Sequence, residues 1–200
     1  MTATPVVLGP RFVDALGWAT ELHRNQTRKG TGVPYVSHLL AVTALVLEHG
    51  GAEDDAIAAL LHDAVEDQGG APVLAEIGRR FGGTVAGVVA AVTDTDVVPK
   101  PPWRERKENY LRHLDDDATS HSALLVSAAD KLHNARSILR DLTTADDDVW
   151  ARFSAGPDDQ LWYYRSLVDI LGRRLPGPLT DQLAGVVGDL EQVITNDGSH

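Results

Sequence analysis

The chain has 200 residues, 43% of them hydrophobic and 24% charged, which is the composition of an ordinary globular protein large enough for one well-buried domain. Its formal net charge of −11 disfavours a general nucleic-acid-binding surface, and the absence of cysteine excludes disulfides, thiolate metal sites and a cysteine nucleophile. Because neither a signal peptide nor an apolar run of membrane-spanning length is present, we expect a cytoplasmic protein without a membrane partner.

Helical periodicity dominates the chain. Apolar residues recur at helical spacing within 11–26, and the turn-like RKGTGVP follows. Further helices are predicted, in chain order, at 36–48, 53–67, 72–81, 83–94, 103–114, 120–141, 158–174 and 179–195. A proline-rich loop occupies 93–103, and strand signals are scarce. We therefore expect an all-α fold of about eight to ten helices in a single domain over residues 1–200, with its core at 10–175 and a C-terminal helix at 179–195.

The predicted helix at 53–67 carries four ionisable side chains within six positions. At helical spacing they form one polar stripe, composed of His62, Asp63, Glu66 and Asp67. A solvated helix face would show the same pattern. Residues 56–61, however, are apolar on every side of the helix, so we expect the stripe to begin inside the protein. Each buried charge costs several kcal/mol unless it is paired or binds a metal.

The predicted helix at 120–141 repeats this pattern. Its apolar segment 124–129 is followed by Asp130, with Asn134 and Ser137 on the same side. Asp130 is either a hydrogen-bonded structural carboxylate or a metal ligand. His38 begins the helix at 36–48, where the positive helix end favours the neutral imidazole that a metal needs, although a structural role is also open.

Together these side chains offer two histidine nitrogens and two aspartate oxygens, from His38, His62, Asp63 and Asp130. Mixed nitrogen and oxygen donors without sulfur suit Mn²⁺, Fe²⁺, Ni²⁺ or Zn²⁺. Glu66 and Asp67 lie one turn away, a suitable distance for a carboxylate that orients or deprotonates a water activated by the metal.

Positive charge is concentrated in two places. Five of the 18 lysines and arginines lie between residues 100 and 112, and a second group comprises Arg24, Arg28 and Lys29. These cations form either a solvated surface or a binding site for an anionic small molecule.

Four segments resemble, in order and spacing, the hydrolase domain of RelA/SpoT-type proteins, a class of HD-domain metal phosphohydrolases. They read QTRKGTGVPYVSHLLAV, AALLHDAVED, FGGTVAGVVAAVTD and SAADKLHNARSI. The likeness covers about residues 10–175 and is strongest to the small stand-alone alarmone hydrolases. It differs from the usual pattern at Leu39, where the family has proline, and at 94–112, which does not align residue by residue.

The resemblance implies roles for individual residues. It implies one divalent metal, usually Mn²⁺, held by His38, His62, Asp63 and Asp130, with Glu66 and Asp67 activating water. It implies substrate contacts from Arg28, Lys29, Tyr35, Lys131, Asn134 and Ser137. From the segment 94–112, Lys100 and Arg104 are added as phosphate-binding candidates and Trp103 as a stacking partner for a base, although a basic, exposed helix start explains them equally.

The implied activity is removal of the 3′-pyrophosphate from ppGpp or pppGpp, which gives GDP or GTP. One alternative is another nucleotide phosphatase, such as an NADPH 2′-phosphatase or a nucleoside monophosphatase. Another is a nucleotide-binding sensor without turnover. In each case the partner is an anionic nucleotide. A homo-oligomer is compatible with the sequence but does not follow from it.

Overall fold

The computed structural model describes residues 5–95, 97, 99–144 and 149–197. Contacts divide the chain into two compact units, Met1–Val97 and Val98–His200. The single domain predicted over residues 1–200 stays a prediction.

The first unit contains six helices among its described residues. They are α1 (Pro10–Leu22), α2 (Val36–Glu48), α3 (Glu53–Leu61), α4 (Ala64–Gln68), α5 (Ala71–Phe81) and α6 (Gly83–Val92). The second unit contains α7 (Trp103–Asp115), α8 (His121–Thr144), the 3₁₀ helix η1 (Val149–Arg152), α9 (Pro157–Arg174) and α10 (Pro178–Asp197). Within the described part of the chain the only extended pairing is one isolated bridge, Thr27 to Pro34. The all-α prediction is confirmed.

Helix α3 lies at the centre of the first unit, where it packs against α1, α2 and α6. Every side chain from Ala56 to Leu61 is fully buried, as expected from their apolar character on all sides. Three acidic residues in the first turn, Glu53, Asp54 and Asp55, favour the start of this helix because they face its positive end.

The helix predicted at 53–67 is interrupted. Helix α3 ends at Leu61, and α4 begins at Ala64. Asp63, with φ −94° and ψ −4°, lies in the bridge region at the edge of helical geometry. The Asp67 amide nevertheless donates to the Asp63 carbonyl at 3.0 Å. The helical course therefore resumes almost at once, and the apolar periodicity hides the break.

The helix predicted at 11–26 is also too long, since α1 ends at Leu22. The chain then folds back on itself. The Arg28 amide donates to the Val33 carbonyl at 2.8 Å, and the Tyr35 amide donates to the Gln26 carbonyl at 2.9 Å. Gly30, at φ 73°, supplies the left-handed residue that this tight turn requires. The turn brings Tyr35, at the start of α2, beside the residues that follow α1.

In the second unit, α8 packs against α9, α10 and η1. Residues Leu124–Ala129 are buried, as their apolar sequence predicts. Helix α8 continues to Thr144, beyond its predicted end at 141. The proline-rich loop between α6 and α7 is confirmed, with residues 96 and 98 outside the described part. None of the helices described here is long and apolar enough to cross a membrane.

Candidate metal centre

Three of the predicted metal ligands meet inside the first unit. His38 Nε2 lies 3.3 Å from His62 Nε2 and 3.5 Å from Asp63 Oδ2, and His62 Nε2 lies 3.0 Å from the same carboxylate oxygen. The His38 and His62 side chains are 0% and 3% exposed, whereas Asp63 is 22% exposed. Packing of α2 against α3 brings His38 next to His62 and Asp63, which lie 24 and 25 positions later in the sequence.

The tautomer of His62 follows from its contact with the backbone. Its Nδ1 lies 2.8 Å from the Ala59 carbonyl oxygen, which can only accept, so Nδ1 carries the proton. In the neutral ring, Nε2 then presents its lone pair towards Asp63. A metal ligand needs this arrangement, with the second ring nitrogen hydrogen-bonded to a carbonyl.

The spacing of the three atoms fits a divalent ion. Donors bound at about 2.1 Å to a four- or six-coordinate ion lie about 3.0–3.4 Å from one another. The observed separations are 3.0–3.5 Å. Two electron-rich atoms at 3.0 Å in a buried place repel each other unless a proton or a cation lies between them. The donor set therefore fits a metal centre.

Tyr35 contributes to this centre in a way that the sequence did not indicate. Its hydroxyl donates to Asp63 Oδ2 at 2.6 Å, and its ring meets the His38 ring edge-on at a centroid distance of 5.5 Å. Tyr35 thus orients one ligand and packs against another. Its predicted contact with substrate stays a prediction.

The two predicted proton acceptors lie on α4. Glu66 is half-buried and Asp67 is exposed, so the polar stripe runs from the interior at His62 to the surface at Asp67. Gln26 Nε2 donates to Asp67 Oδ2 at 2.8 Å. No spacing rule in the sequence joins Gln26 to Asp67, which lies 41 positions away.

In the second unit, Asp130 is buried on α8, and its carboxylate accepts two hydrogen bonds. Lys131 Nζ donates to Oδ2 at 2.7 Å, and Asn134 Nδ2 donates to Oδ1 at 2.5 Å. Burial opposes the charged ammonium, but Asp130, with smaller contributions from Tyr163 and Tyr110, raises the pKa of Lys131 well above its ordinary value. Ser137, one turn beyond Asn134, donates to the His133 carbonyl. Lys131 and Asn134 thus form one polar cluster with Asp130, whereas the hydrogen bond of Ser137 is to the backbone of its own helix.

The predicted cations differ in their surroundings. The Arg28 guanidinium lies 5.7 Å from the centre of the Tyr35 ring, and Lys29 is exposed in the same turn. In the second unit Lys100 is exposed. Arg104 stacks on Trp162 and contacts the carboxylates of Glu108 and Asp159. The Trp103 ring packs edge-on against Trp162 and Tyr163. Arg104 and Trp103 therefore already have structural partners, and their predicted substrate contacts are untested.

Comparison with known proteins gives consistent matches. The HD-domain family model matches residues 15–160. The chain is 37% identical over 143 residues to the Danio rerio guanosine-3′,5′-bis(diphosphate) 3′-pyrophosphohydrolase MESH1, covering 70% of this chain and 73% of that protein. The Homo sapiens protein of the same name is 35% identical over 144 residues, with 70% and 74% coverage. The Aquifex aeolicus guanosine-3′,5′-bis(diphosphate) 3′-pyrophosphohydrolase is 36% identical, but the match covers 62% of this chain and 17% of that protein.

Two solved structures share the fold. One, described as a metazoan ortholog of SpoT that hydrolyzes ppGpp, aligns over 98% of this chain and 99% of its own, with TM-score 0.70 and 28% identity. The other, lmo0812 from Listeria monocytogenes EGD-e, aligns over 75% of this chain and 96% of its own, with TM-score 0.65 and 30% identity.

Replacing His62 tests the metal centre directly. We expect His62→Ala to abolish tight binding of a divalent ion, since it removes one of three converging donors. His49→Ala is the matched control, because His49 Nδ1 also contacts a carbonyl of its own helix, that of Leu45, at 2.9 Å. Calorimetric titration with Mn²⁺ and Zn²⁺ provides the measurement, with circular dichroism to check folding. Equal affinity in the two variants would contradict the assignment.

Tyr35→Phe tests the hydrogen bond to Asp63. The variant keeps the ring against His38 and removes only the hydroxyl that orients the carboxylate. Loss of such a partner typically lowers metal affinity about 10- to 100-fold. The same titration measures this change. An affinity within about twofold of the wild type would show that the hydroxyl does not support the ligand.

Proposed function

The chain belongs to the HD-domain family, and on that premise we propose that it is a metal-dependent phosphohydrolase that removes the 3′-pyrophosphate from ppGpp or pppGpp. The products would be GDP or GTP and pyrophosphate. The observation that carries the proposal is the group formed by His38, His62 and Asp63, whose donor atoms lie 3.0–3.5 Å apart. The named activity of the relatives supports the choice of substrate.

The proposed ligands are His38, His62, Asp63 and, from the second unit, Asp130. The candidate ligands His38, His62 and Asp130 are all buried, as metal-binding groups in a closed site should be. The family match spans residues 15–160 and so includes all four. The choice of Mn²⁺ rests on the family resemblance. When bound, a divalent ion would make a water molecule more acidic and polarise a phosphoryl oxygen.

Glu66 and Asp67 are the proposed proton acceptors. They follow the ligand pair by one helical turn, and their position near the surface keeps them accessible to water. A positioned carboxylate can accept a proton from the attacking water and release it to solvent. Hydrolysis of the phosphoester bond between the ribose 3′ oxygen and the pyrophosphate needs mainly such positioning together with charge compensation.

The proposed contacts to the substrate are cationic and polar. Arg28 and Lys29 bind phosphate groups, and the remaining candidates are Tyr35, Lys100, Arg104, Lys131, Asn134 and Ser137. A chain of net charge −11 needs local positive charge to bind a highly anionic nucleotide. A cytoplasmic location completes the proposal, since it is where such a nucleotide would be encountered.

One experiment tests the reaction and its substrate together. Purified protein loaded with Mn²⁺ is incubated with ppGpp, pppGpp, NADPH and nucleoside monophosphates, and the products are identified by mass. GDP or GTP with pyrophosphate is the expected result. Release of orthophosphate from NADPH or from a monophosphate, without reaction of ppGpp, would show that the substrate is one of these nucleotides and not ppGpp. Binding of ppGpp without formation of any product would show that the protein is a nucleotide-binding sensor without turnover.

Glu66→Gln tests proton transfer. The change removes the proton-accepting group at nearly constant shape, so we expect kcat for ppGpp to fall about 10²- to 10⁴-fold while metal is retained. Glu48→Gln, at the exposed end of α2, is the matched control and should be unaffected. Metal content and melting temperature are measured in parallel. A fall of less than about tenfold would contradict the role assigned to Glu66.

Arg28→Ala tests the phosphate contact. A charged hydrogen bond in a partly desolvated site contributes about 1.5–3 kcal/mol, so KM should rise about 10- to 100-fold with little change in bound metal. Arg24→Ala is the matched control, because Arg24 is exposed in the preceding turn and pairs with Glu21. Salt should weaken substrate binding more in the wild type than in Arg28→Ala. An unchanged KM and salt dependence would make Arg28 an ordinary surface residue.

A further inference from the structure

The first unit contains a buried histidine that is neither a proposed ligand nor a proposed proton acceptor. His23 is 2% exposed, and its Nδ1 lies 2.7 Å from Gln26 Oε1. Its Nε2 is buried and has no hydrogen-bond partner among the residues that the structure describes. A buried polar atom without a partner is costly, so the position of this ring needs an explanation.

The direction of each hydrogen bond in this group follows from chemistry. Gln26 Oε1 only accepts, so His23 Nδ1 carries the proton, and Gln68 Nε2 donates to the same oxygen at 2.6 Å. Gln68 Nε2 and His23 Nδ1 lie 3.3 Å apart because both donate to the same acceptor, Gln26 Oε1.

The Gln26 amide is oriented with Oε1 towards His23 and Gln68. Its Nε2 must point the other way, and there it donates to Asp67 Oδ2 at 2.8 Å. A carboxylate is an acceptor only, so this is the one orientation of the amide that satisfies both of its ends. Asp67 is an exposed side chain on a five-residue helix, and this hydrogen bond restricts the rotamers that its carboxylate can adopt.

The backbone holds this group in place. Gln26 N donates to the His23 carbonyl at 2.9 Å, and Tyr35 N donates to the Gln26 carbonyl at 2.9 Å. The rings of His23 and Tyr35 are stacked, with centroids 5.1 Å apart and planes inclined by 16°. The turn that follows α1 therefore fixes His23 and the Gln26 backbone, and Gln68 on α4 supplies the remaining support.

We propose that Gln26 is a positioning residue for hydrolysis, which holds the Asp67 carboxylate in its reactive orientation and is itself held by His23 and Gln68. The inference rests on the proposed function, because Asp67 needs a defined orientation only if it accepts a proton from the attacking water. Gln26 takes no part in proton transfer, since its amide does not titrate. Its effect reaches the reaction only through Asp67.

The kinetic consequence separates this role from binding or folding. Gln26→Ala should lower kcat for ppGpp about 10- to 100-fold, the loss expected when a reacting group is misplaced by about 1 Å. KM and Mn²⁺ affinity should remain within about twofold, because the substitution leaves Arg28 and the four proposed ligands unchanged. Asn25→Ala removes an exposed amide from the surface pocket that Asn25, Gln26 and Asp67 line together, and it should leave kcat unchanged.

A double-mutant cycle gives the decisive readout. If Gln26 acts through Asp67, Gln26→Ala should change kcat by less than about twofold in the Asp67→Asn background. Gln26→Glu is the second variant, because it keeps the size of the side chain but cannot donate to a carboxylate. It should lower kcat at least as much as Gln26→Ala at an unchanged melting temperature. In the wild type, nitrogen NMR should find His23 protonated at Nδ1, where the ring contacts Gln26 Oε1.

The possible results distinguish failure of the positioning role of Gln26 from failure of the proposed function. Independent losses in the cycle, a rise in KM that equals the loss of kcat/KM, or a His23 protonated at Nε2 alone would overturn the positioning role and leave the proposed function intact. Absence of ppGpp hydrolysis by the wild-type protein would overturn the proposed function and this inference with it. A loss in kcat that disappears in the Asp67→Asn background would establish it.

Discussion

The rest of the first unit depends on one constraint: helix α3 is buried on every side, and the polar side chains of His62 and Asp63 lie at its end. Residues Ala56–Leu61 are completely enclosed, and His62 with Asp63 follows directly. An unpaired charge in such a place would cost several kcal/mol, which is comparable to the whole stability of a domain. Because His38 also points towards this pair, the three donors can bind one cation, and the bound cation would offset the cost of burying them. Ion binding would then stabilise the folded chain.

A gradient of exposure along α3 and α4 matches the chemical roles proposed there. The ligands begin at His62 in the interior, and the stripe ends at Asp67 on the surface. The interior end excludes water and preserves the strength of electrostatic interactions. At the surface end, the proposed proton acceptor Asp67 is exposed and can exchange a proton with solvent. One short polar stripe can therefore serve both requirements, because its residues lie at increasing distance from the core.

The turn after α1 links these two ends. Through Tyr35 it reaches Asp63, and through Gln26 it reaches Asp67, while His23 contacts both Tyr35 and Gln26. The same turn carries Arg28 and Lys29, the proposed phosphate contacts. Placing such groups on a segment held by backbone hydrogen bonds limits their motion, which is what preorganised sites require.

The sequence by itself determined the all-α class, the helix buried on all sides and the identity of the ionisable residues at its end, because helical periodicity and composition are local properties. It failed where helices end, at Leu22 and Leu61. The apolar pattern continues past Leu61 to Ala64 and Val65, whereas the polar residues 23–26 after Leu22 contain no glycine or proline that would mark the end of a helix. Only the tertiary structure decided that His38 meets His62, that Tyr35 orients Asp63 and that Gln26 reaches Asp67. These contacts join residues 24 to 41 positions apart, and they arise from helix packing and turn geometry, for which residue spacing carries no signal.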